Sequence, residues 1–186
     1  DGEMMLCEIY GGKADVEEAL LCSGGAGTNT SVSFQRQGYR AAVVAEVGVD
    51  FPAQLIVDDL EREGVDTSFL IEEASERTGM SAVLVSNDGS RSAMTFRGAA
   101  KMLTPKDIPF DSLANVKHIH LSSVGNPDLV RQIFLFCKEK RISLSWNPSK
   151  GELEDVVMHA NSQFEKACEV IFVNDSEFAA VEKQQE

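Results

Sequence analysis

The stretch Gly24-Gly25-Ala26-Gly27-Thr28-Asn29-Thr30-Ser31, which continues through Val32 to Gly38 and on to Gly48, decides the fold. Its three glycines within four residues permit positive φ angles and a close backbone approach to a ligand. The residues from Thr28 to Ser31 are all suited to cap a helix, so we expect a helix that begins near Thr28 and ends at Gly38. A glycine loop that leads into a helix is typical of a binding site, and a purely structural turn is the alternative.

Length and composition indicate one soluble, folded domain. The chain has 186 residues, 43% hydrophobic residues and a formal net charge of -13. This negative charge argues against binding to nucleic acid or to an anionic membrane, because both require clustered lysine and arginine. No apolar run approaches the roughly 20 residues of a membrane span, and the acidic N-terminus lacks the basic start of a signal peptide.

The cysteines point to a reducing compartment. Cys7, Cys22, Cys137 and Cys168 lie far apart and form no Cys-x-x-Cys pair, which argues against a zinc site or a redox motif. Reduced thiols are typical of cytosolic proteins. We therefore expect a cytoplasmic protein.

Strand and helix patterns alternate along most of the chain. The predicted strands lie at 40–47, 65–71, 116–121, 142–146 and 169–173, and the predicted helices lie at 51–63, 128–140, 152–165 and from 175 onward. This alternation predicts a mostly parallel sheet with helices on both faces and ligands at the carboxyl ends of the strands. Two predicted hairpins interrupt it, one within residues 3–22 and one within 79–97, where Asp88-Gly89 is a strong turn signal.

The opening stretch resembles a signature of the ribokinase-like (PfkB) carbohydrate kinases. In that signature two glycines, a small residue, an asparagine and a further small residue precede two more glycines at fixed spacing, and Gly24 to Gly48 fits every position. Other segments resemble the same family in the right order: Val47-Gly48-Val49-Asp50, Glu63-Gly64-Val65-Asp66-Thr67, Thr78-Gly79, Trp146-Asn147-Pro148 and Asn174-Asp175-Ser176-Glu177. The resemblance covers nearly the whole chain.

This resemblance implies a fold and an activity. The fold is a three-layer α/β/α domain with a mostly parallel sheet and a small β-sheet lid, which the two hairpins would form. The activity is phosphorylation of a hydroxyl of a sugar, sugar acid or nucleoside, with ATP and Mg²⁺ as cofactors. Phosphoryl transfer needs positioning, neutralisation of charge by metal, and a closing element that excludes water. Many family members dimerise through the lid, so we expect a homodimer.

The resemblance also assigns a substrate side. Gly24, Gly25 and Gly27 would let the sugar lie against the backbone, and the Asn29 amide would bind its hydroxyl groups; a helix cap is the alternative for Asn29. Arg97 resembles the position with which kinases of 2-keto-3-deoxy sugar acids bind a carboxylate, and a solvated lid arginine is the alternative. Asn147 could face the site or merely begin the turn at Pro148.

For the cofactors, the resemblance implies that Asn174 and Glu177 bind ATP and Mg²⁺. They would orient magnesium-bound water and phosphate, and Glu177 would contact Mg²⁺ through water. An N-cap followed by a glutamate three residues later gives the same string without any ligand. His118 and His120 share one strand face, and without a third ligand nearby we expect packed or hydrogen-bonded histidines rather than a metal site.

Two family features are missing. The late Gly-Ala-Gly-Asp run, whose aspartate is the family's catalytic base, does not occur in this sequence, and Pro52-Ala53 replaces an aromatic residue and a glycine. We therefore assign no catalytic residue within the chain and expect it to be the N-terminal, substrate-binding part of a longer kinase. The alternative is a non-catalytic sugar-binding or dimerising module with the same fold.

Overall fold

The computed structural model describes residues 11–13, 15–149, 151–153 and 168–182. Within them the α-helices are α1 Ala26–Arg36, α2 Phe51–Arg62, α3 Phe110–Leu113, α4 Pro127–Lys140 and α5 Asp175–Glu182. The strands are β1 Ala45–Gly48, β2 Leu70–Glu73, β3 Met80–Val85, β4 Arg91–Phe96, β5 His118–Ser122, β6 Ser143–Asn147 and β7 Val170–Ile171, and a 3-10 helix spans Gly98–Lys101. None of the helices in these ranges is long and apolar enough to cross a membrane.

The strand pairing is mostly parallel, as predicted. β1 pairs with β2, and β6 pairs with both β5 and β7, all in parallel. β3 and β4 pair antiparallel and form a separate hairpin. The parallel strands alternate with helices, so the carboxyl ends of β5, β6 and β7 lie at one edge of their sheet.

The main core lies between α4 and the β5–β6–β7 sheet. Leu129, Phe134, Leu144 and Trp146 are almost completely buried there. The rings of Phe134 and Trp146 meet edge to face with their centroids 5.5 Å apart. Each such side chain contributes about 1.5–3 kcal/mol by burial, so this core holds the strand ends that carry the predicted cofactor side firmly in place.

Glycines end the first two helices where the sequence predicts. Gly38 has a φ of 90° and Gly64 a φ of 79°, and they follow α1 and α2 closely. The start of α1 differs from the prediction, since the helix begins at Ala26 and not near Thr28. The reason is that Gly25, at φ 103°, turns the chain itself, while the Thr28 hydroxyl donates to the Gly24 carbonyl at 2.6 Å.

One of the two predicted hairpins is confirmed. β3 and β4 form it, and the turn contains Gly89 at a φ of 84°, while the Asp88 carboxylate accepts the Ser90 amide at 2.9 Å. The other prediction is wrong for residues 15–22, which form no strand; its first half, 3–10, lies outside the described residues. Leu20 and Leu21 are largely exposed, so no apolar packing by the described residues stabilises an extended pair there.

Several predicted strands are shorter than expected. The strand predicted at 40–47 is regular only from Ala45, with an isolated bridge between Ala42 and Asp66 before it. The strand predicted at 65–71 begins only at Leu70, because a turn closed by the Leu70 amide and the Thr67 carbonyl comes first. The helix predicted at 152–165 is seen at residues 151–153, and the rest of it lies outside the described residues.

Candidate functional site

The glycine loop leaves open space at the start of α1. Among the described residues, a Cβ atom built on Gly24 would meet no atom within 4 Å, and one on Gly27 would only touch a methyl group of Val43 at 3.9 Å. Gly24, Gly25 and Gly27 are all exposed. The positive end of the α1 dipole and this bare backbone therefore face a space that a polar ligand can enter.

Asn29 lies in the first turn of α1 and is not its cap. Gly25 occupies the N-cap position, and the backbone amide of Asn29 donates to the Gly25 carbonyl at 3.0 Å. The Asn29 side chain is exposed and makes no hydrogen bond with the described residues. The capping alternative is thus excluded, and the side-chain amide keeps both its donors and its acceptor for a ligand.

The β3–β4 hairpin, which we call the lid, joins the domain where three backbone segments cross closely. A Cβ atom on Gly79 would lie 2.6 Å from the Arg97 carbonyl oxygen, and one on Gly98 would lie 2.1 Å from the Arg77 carbonyl oxygen. Gly48, at the end of β1, has equally little room beside the Thr78 amide, at 2.6 Å. Only glycine fits at these positions, so the lid base has a defined geometry.

Asp50 and Thr78 reinforce the lid base. Thr78 donates its hydroxyl to Asp50 Oδ1 at 2.6 Å and its amide to Asp50 Oδ2 at 3.0 Å, and the Gly48 amide donates to the Thr78 hydroxyl at 2.8 Å. The Thr78 hydroxyl holds the pKa of the Asp50 carboxyl below its usual value, and the backbone amides of Thr78 and Ala53 add to this effect. Our sequence reasoning gave neither residue a role, although both belong to segments that resemble the family.

Arg97 follows β4 at this crossing. Its side chain is exposed, and it forms no ion pair with a carboxylate of the described residues. A guanidinium without such a partner can bind an incoming carboxylate through two parallel hydrogen bonds. The geometry is compatible with the predicted role and with the solvated alternative, so the role stays a prediction.

Asn147 ties together the carboxyl ends of three strands. Its side-chain amide donates to the Phe172 carbonyl at 2.8 Å, and its own carbonyl accepts the Ser123 amide at 2.9 Å. Ser123 follows β5 and Phe172 follows β7. Asn147 therefore lies at the edge of the sheet where ligands bind in open α/β sheets.

Asn174 and Glu177 form a reciprocal capping box at the start of α5. The backbone amide of Asn174 donates to Glu177 Oε2 at 2.9 Å, and the backbone amide of Glu177 donates to Asn174 Oδ1 at 2.9 Å. This is the alternative that the sequence left open for these residues. The capping box uses only Oε2 of the Glu177 carboxylate. The second oxygen, Oε1, can therefore contact a water molecule bound to Mg²⁺.

A directly bound metal has weaker support. Among the residues the structure describes, no group of three or more His, Cys, Asp or Glu side chains could hold a metal ion. Mg²⁺ usually keeps several waters and binds through one or two carboxylates together with substrate phosphates. Glu177 fits a site in which water and the ATP phosphates supply the remaining ligands.

Apart from Arg97, which lies at the lid base, the predicted site residues form two separate groups, and the members of each group lie close together. The glycine loop and Asn29 lie at the start of α1, and Asn147 connects through Phe172 to the segment that carries Asn174 and Glu177. Among the described residues no hydrogen bond joins the first group to the second.

The two strand histidines are held in a polar cluster, as expected. His118 contacts the hydroxyls of Ser143 and Ser145 at 2.8 Å each, and His120 contacts Ser145 at 2.7 Å. Burial lowers the pKa of both histidines, which favours the neutral form. We assign neither histidine a catalytic or metal-binding role.

Glu46 is a buried carboxyl group that sequence reasoning missed. Its side chain is 6% exposed, and its Oε2 atom has no hydrogen-bond partner within the described part of the chain. Burial raises the pKa of Glu46, and the nearby charges of Asp107 and Glu73 raise it further. The only sequence signal was a charged residue in the middle of an apolar strand.

The parallel core, the glycine loop at the start of a helix and the hairpin lid together define a ribokinase-like α/β protein. Residues 8–186 match the model of the pfkB family of carbohydrate kinases, and the chain belongs to this family. Ribokinase from Staphylococcus aureus (strain COL) is 30% identical over 94 residues, which cover 50% of this chain and 31% of the relative. The 2-dehydro-3-deoxygluconokinase of Bacillus subtilis (strain 168) is 28% identical over 124 residues, which cover 65% of this chain and 38% of the relative.

A solved structure supports the same fold. Fructokinase from Xylella fastidiosa with bound ATP superposes with a TM-score of 0.74 at 18% identity, covering 89% of this chain and 54% of the fructokinase. The chain thus spans about a third of the length of the two curated relatives and about half of the solved one.

Proposed function

We propose that the protein transfers the γ-phosphoryl group of ATP to a hydroxyl of a sugar, sugar acid or nucleoside, and that this chain supplies the substrate-binding part. The observation that carries the proposal is the match to the carbohydrate kinase family over residues 8–186. The open glycine loop and the lid give this chain the two elements that phosphoryl transfer needs for positioning and for exclusion of water.

The sugar lies against the backbone of Gly24 and Gly25 in this proposal. Asn29 then donates to and accepts from its hydroxyl groups, which the exposed, unengaged side-chain amide supports. The dipole of α1 adds a favourable field for partially negative hydroxyl oxygens.

The nucleotide lies at the start of α5, just after β7, whereas Asn147 at the end of β6 binds the sugar. The ATP bound to the fructokinase of the same fold supports ATP as the phosphoryl donor. Glu177 orients a water molecule on Mg²⁺, and the capping box keeps Asn174 and Glu177 in a fixed relation to each other. We assign the catalytic base to no residue of this chain.

Arg97 selects a sugar acid. It lies at the base of the lid, is exposed, and forms no ion pair with the described carboxylates. The name of the Bacillus subtilis relative, 2-dehydro-3-deoxygluconokinase, designates a kinase of a sugar acid and supports this choice. An arginine binds such a carboxylate in a bidentate geometry that a neutral sugar cannot use.

We also propose that the lid dimerises with a second copy of the chain. The strand register places Met80, Ala82, Leu84, Met94 and Phe96 on one face of the hairpin. The four larger side chains of this apolar lid face are 42–66% exposed, as is typical of surfaces that bind a partner.

The cysteines support a cytoplasmic location for the protein. Cys22, Cys137 and Cys168 are free thiols. Burial raises the pKa of Cys137 to about 11, so this thiol stays protonated and unreactive. Free thiols of this kind are typical of a reducing compartment.

The test is release of ADP from ATP by the protein that contains this chain, assayed with a panel of neutral sugars, sugar acids and nucleosides. We expect turnover with at least one sugar or sugar acid and none without Mg²⁺. Absence of turnover with every acceptor, together with thermal stabilisation by a sugar, would instead identify a non-catalytic sugar-binding module.

A further inference from the structure

Glu152 is a buried carboxylate that connects two loops at the ligand edge of the sheet. Its side chain is 2% exposed. One oxygen accepts the Gly125 amide at 2.6 Å, and the other accepts the Ser149 amide at 2.7 Å. Gly125 lies in the loop after β5 and Ser149 in the loop after β6, so one side chain fixes the distance between the two loops.

The bond to Ser149 is part of a capping box. The Glu152 amide faces the Ser149 hydroxyl at 3.4 Å, and the Leu153 amide donates to the Ser149 carbonyl at 2.9 Å. Helix capping accounts for this half of the arrangement. It does not account for the bond to Gly125, which reaches across to a different loop.

The loop that Glu152 holds through Gly125 has an unfavourable backbone conformation. Gly125 has a φ of 74° and Ser123 a φ of 46°, and the second of these is costly for a residue with a side chain. Such a conformation persists only when surrounding contacts enforce it. A glutamate side chain has two acceptor oxygens, and Glu152 uses one for the amide of each loop.

Both loops converge on Asn147. The Ser123 amide and hydroxyl donate to the Asn147 carbonyl at 2.9 and 3.2 Å, and Asn147 precedes Ser149 by one proline. The Asn147 side chain in turn reaches the Phe172 carbonyl. The position of Asn147 therefore depends on both loops that Glu152 clamps.

We infer that Glu152 is a positioning residue for substrate binding: it keeps the loops after β5 and β6 in register and so holds Asn147 at the substrate site. This inference rests on the proposed function. Glu152 touches no substrate itself, and its effect passes through Gly125, Ser123 and Asn147.

The test is Glu152→Gln in the protein that contains this chain. Glutamine has nearly the same size but a single acceptor oxygen, so one of the two amides faces an NH₂ group instead of a carboxylate. We expect the KM for the sugar to rise by about two- to tenfold, up to the loss of the one neutral hydrogen bond that Asn147 makes, with a much smaller change in the KM for ATP. Amide hydrogen exchange at Gly125 or Ser149 accelerates in parallel.

Two further variants keep the test decisive. Glu139→Gln changes an exposed glutamate on α4 and leaves both KM values unchanged. Gly125→Ala strains the same loop while Glu152 stays intact, since the added Cβ meets no described atom within 4 Å and only the positive φ is affected. It raises the KM for the sugar as well, and it replaces Glu152→Gln if that variant does not fold.

The outcomes separate the inference from the proposed function. An active wild-type protein whose sugar KM is unchanged in Glu152→Gln overturns the positioning role, even if Gly125 exchanges faster. A fall in kcat alone, with both KM values unchanged, shows no loss of sugar binding and overturns it too. A wild-type protein that phosphorylates no acceptor contradicts the proposed function itself.

Discussion

Replacement of Gly79 by alanine should distort the base of the lid. The new Cβ atom lies 2.6 Å from the Arg97 carbonyl oxygen and 3.2 Å from its carbonyl carbon. Both are backbone atoms, so no change of side-chain rotamer relieves the overlap. The end of β4 must move by about 0.4–0.8 Å before the contact reaches the short but tolerated range of 3.0–3.4 Å.

Overpacking of this kind typically costs about 1–3 kcal/mol. In a domain of this size each kcal/mol lowers Tm by about 2–4 °C, so we expect a decrease of about 2–12 °C. Because both faces of the lid are exposed, part of the strain is released by local detachment of the hairpin. The Ala99 amide, which donates to the Arg77 carbonyl at 2.8 Å, then exchanges its hydrogen faster.

Calorimetry and amide hydrogen exchange measure these two effects. Gly24→Ala is the matched control, since its Cβ meets no atom within 4 Å and its φ is not positive. It should change the free energy of unfolding by less than about 0.5 kcal/mol. A Gly79→Ala protein with the Tm of the wild type and unchanged exchange at Ala99 would refute the close crossing of the segments at the lid base.

Three further predictions concern the substrate, the pH dependence of stability and the dimer. Arg97→Ala should raise the KM for a sugar acid at least about tenfold more than the KM for a neutral sugar, because an arginine-carboxylate pair is lost. The control Arg91→Ala, at the lid tip, should not raise the KM for the sugar acid in this way. Equal effects of Arg97→Ala on both substrates contradict the carboxylate-binding role of Arg97. Burial raises the pKa of Glu46 in the folded state, so its contribution to stability is present at low pH and is lost as the pH rises through that pKa. Glu46→Gln should therefore become progressively more stable than the wild type in urea unfolding as the pH rises above about 4.5, and a constant difference contradicts this. Met94→Glu on the apolar lid face should convert the dimer to a monomer, as measured by light scattering. Thr95→Glu, on the opposite face, should leave the dimer intact. An unchanged mass for Met94→Glu excludes the apolar lid face as the interface.

The sequence predicts best where the structure depends on neighbouring residues. Gly38 and Gly64 end helices because glycine adopts a positive φ without strain. Asp88-Gly89 forms a tight turn for the same reason. These local signals are enough to place the lid hairpin and the first two helix ends.

Features that depend on distant contacts were not predictable in this way. Gly48, Gly79 and Gly98 lie far apart in the sequence, and only the folded chain shows that their backbones cross within contact distance. The strand predicted at 15–22 does not form, and its leucines are exposed and find no partner among the residues that the structure describes. An alternating pattern favours a strand, but pairing decides whether one forms.

The candidate site shows the same division. The sequence places the glycine loop before a helix, and the structure adds that Asn29 is exposed and is not the cap. For Asn174 and Glu177 the same string suits a capping box and a magnesium site, and the structure shows the capping contacts. Glu152 was not predicted as a clamp, because its partner Gly125 lies in another loop.

The central claim is that the glycine loop forms the sugar side of the site and not the phosphate side, although helix N-termini commonly bind phosphate. Steady-state kinetics of Asn29→Ala, with Asn87→Ala in the lid turn as control, tests this claim most directly. We predict a rise of about two- to tenfold in the KM for the sugar, corresponding to one lost neutral hydrogen bond, with an unchanged KM for ATP. A rise in the KM for ATP with an unchanged KM for the sugar would contradict the claim.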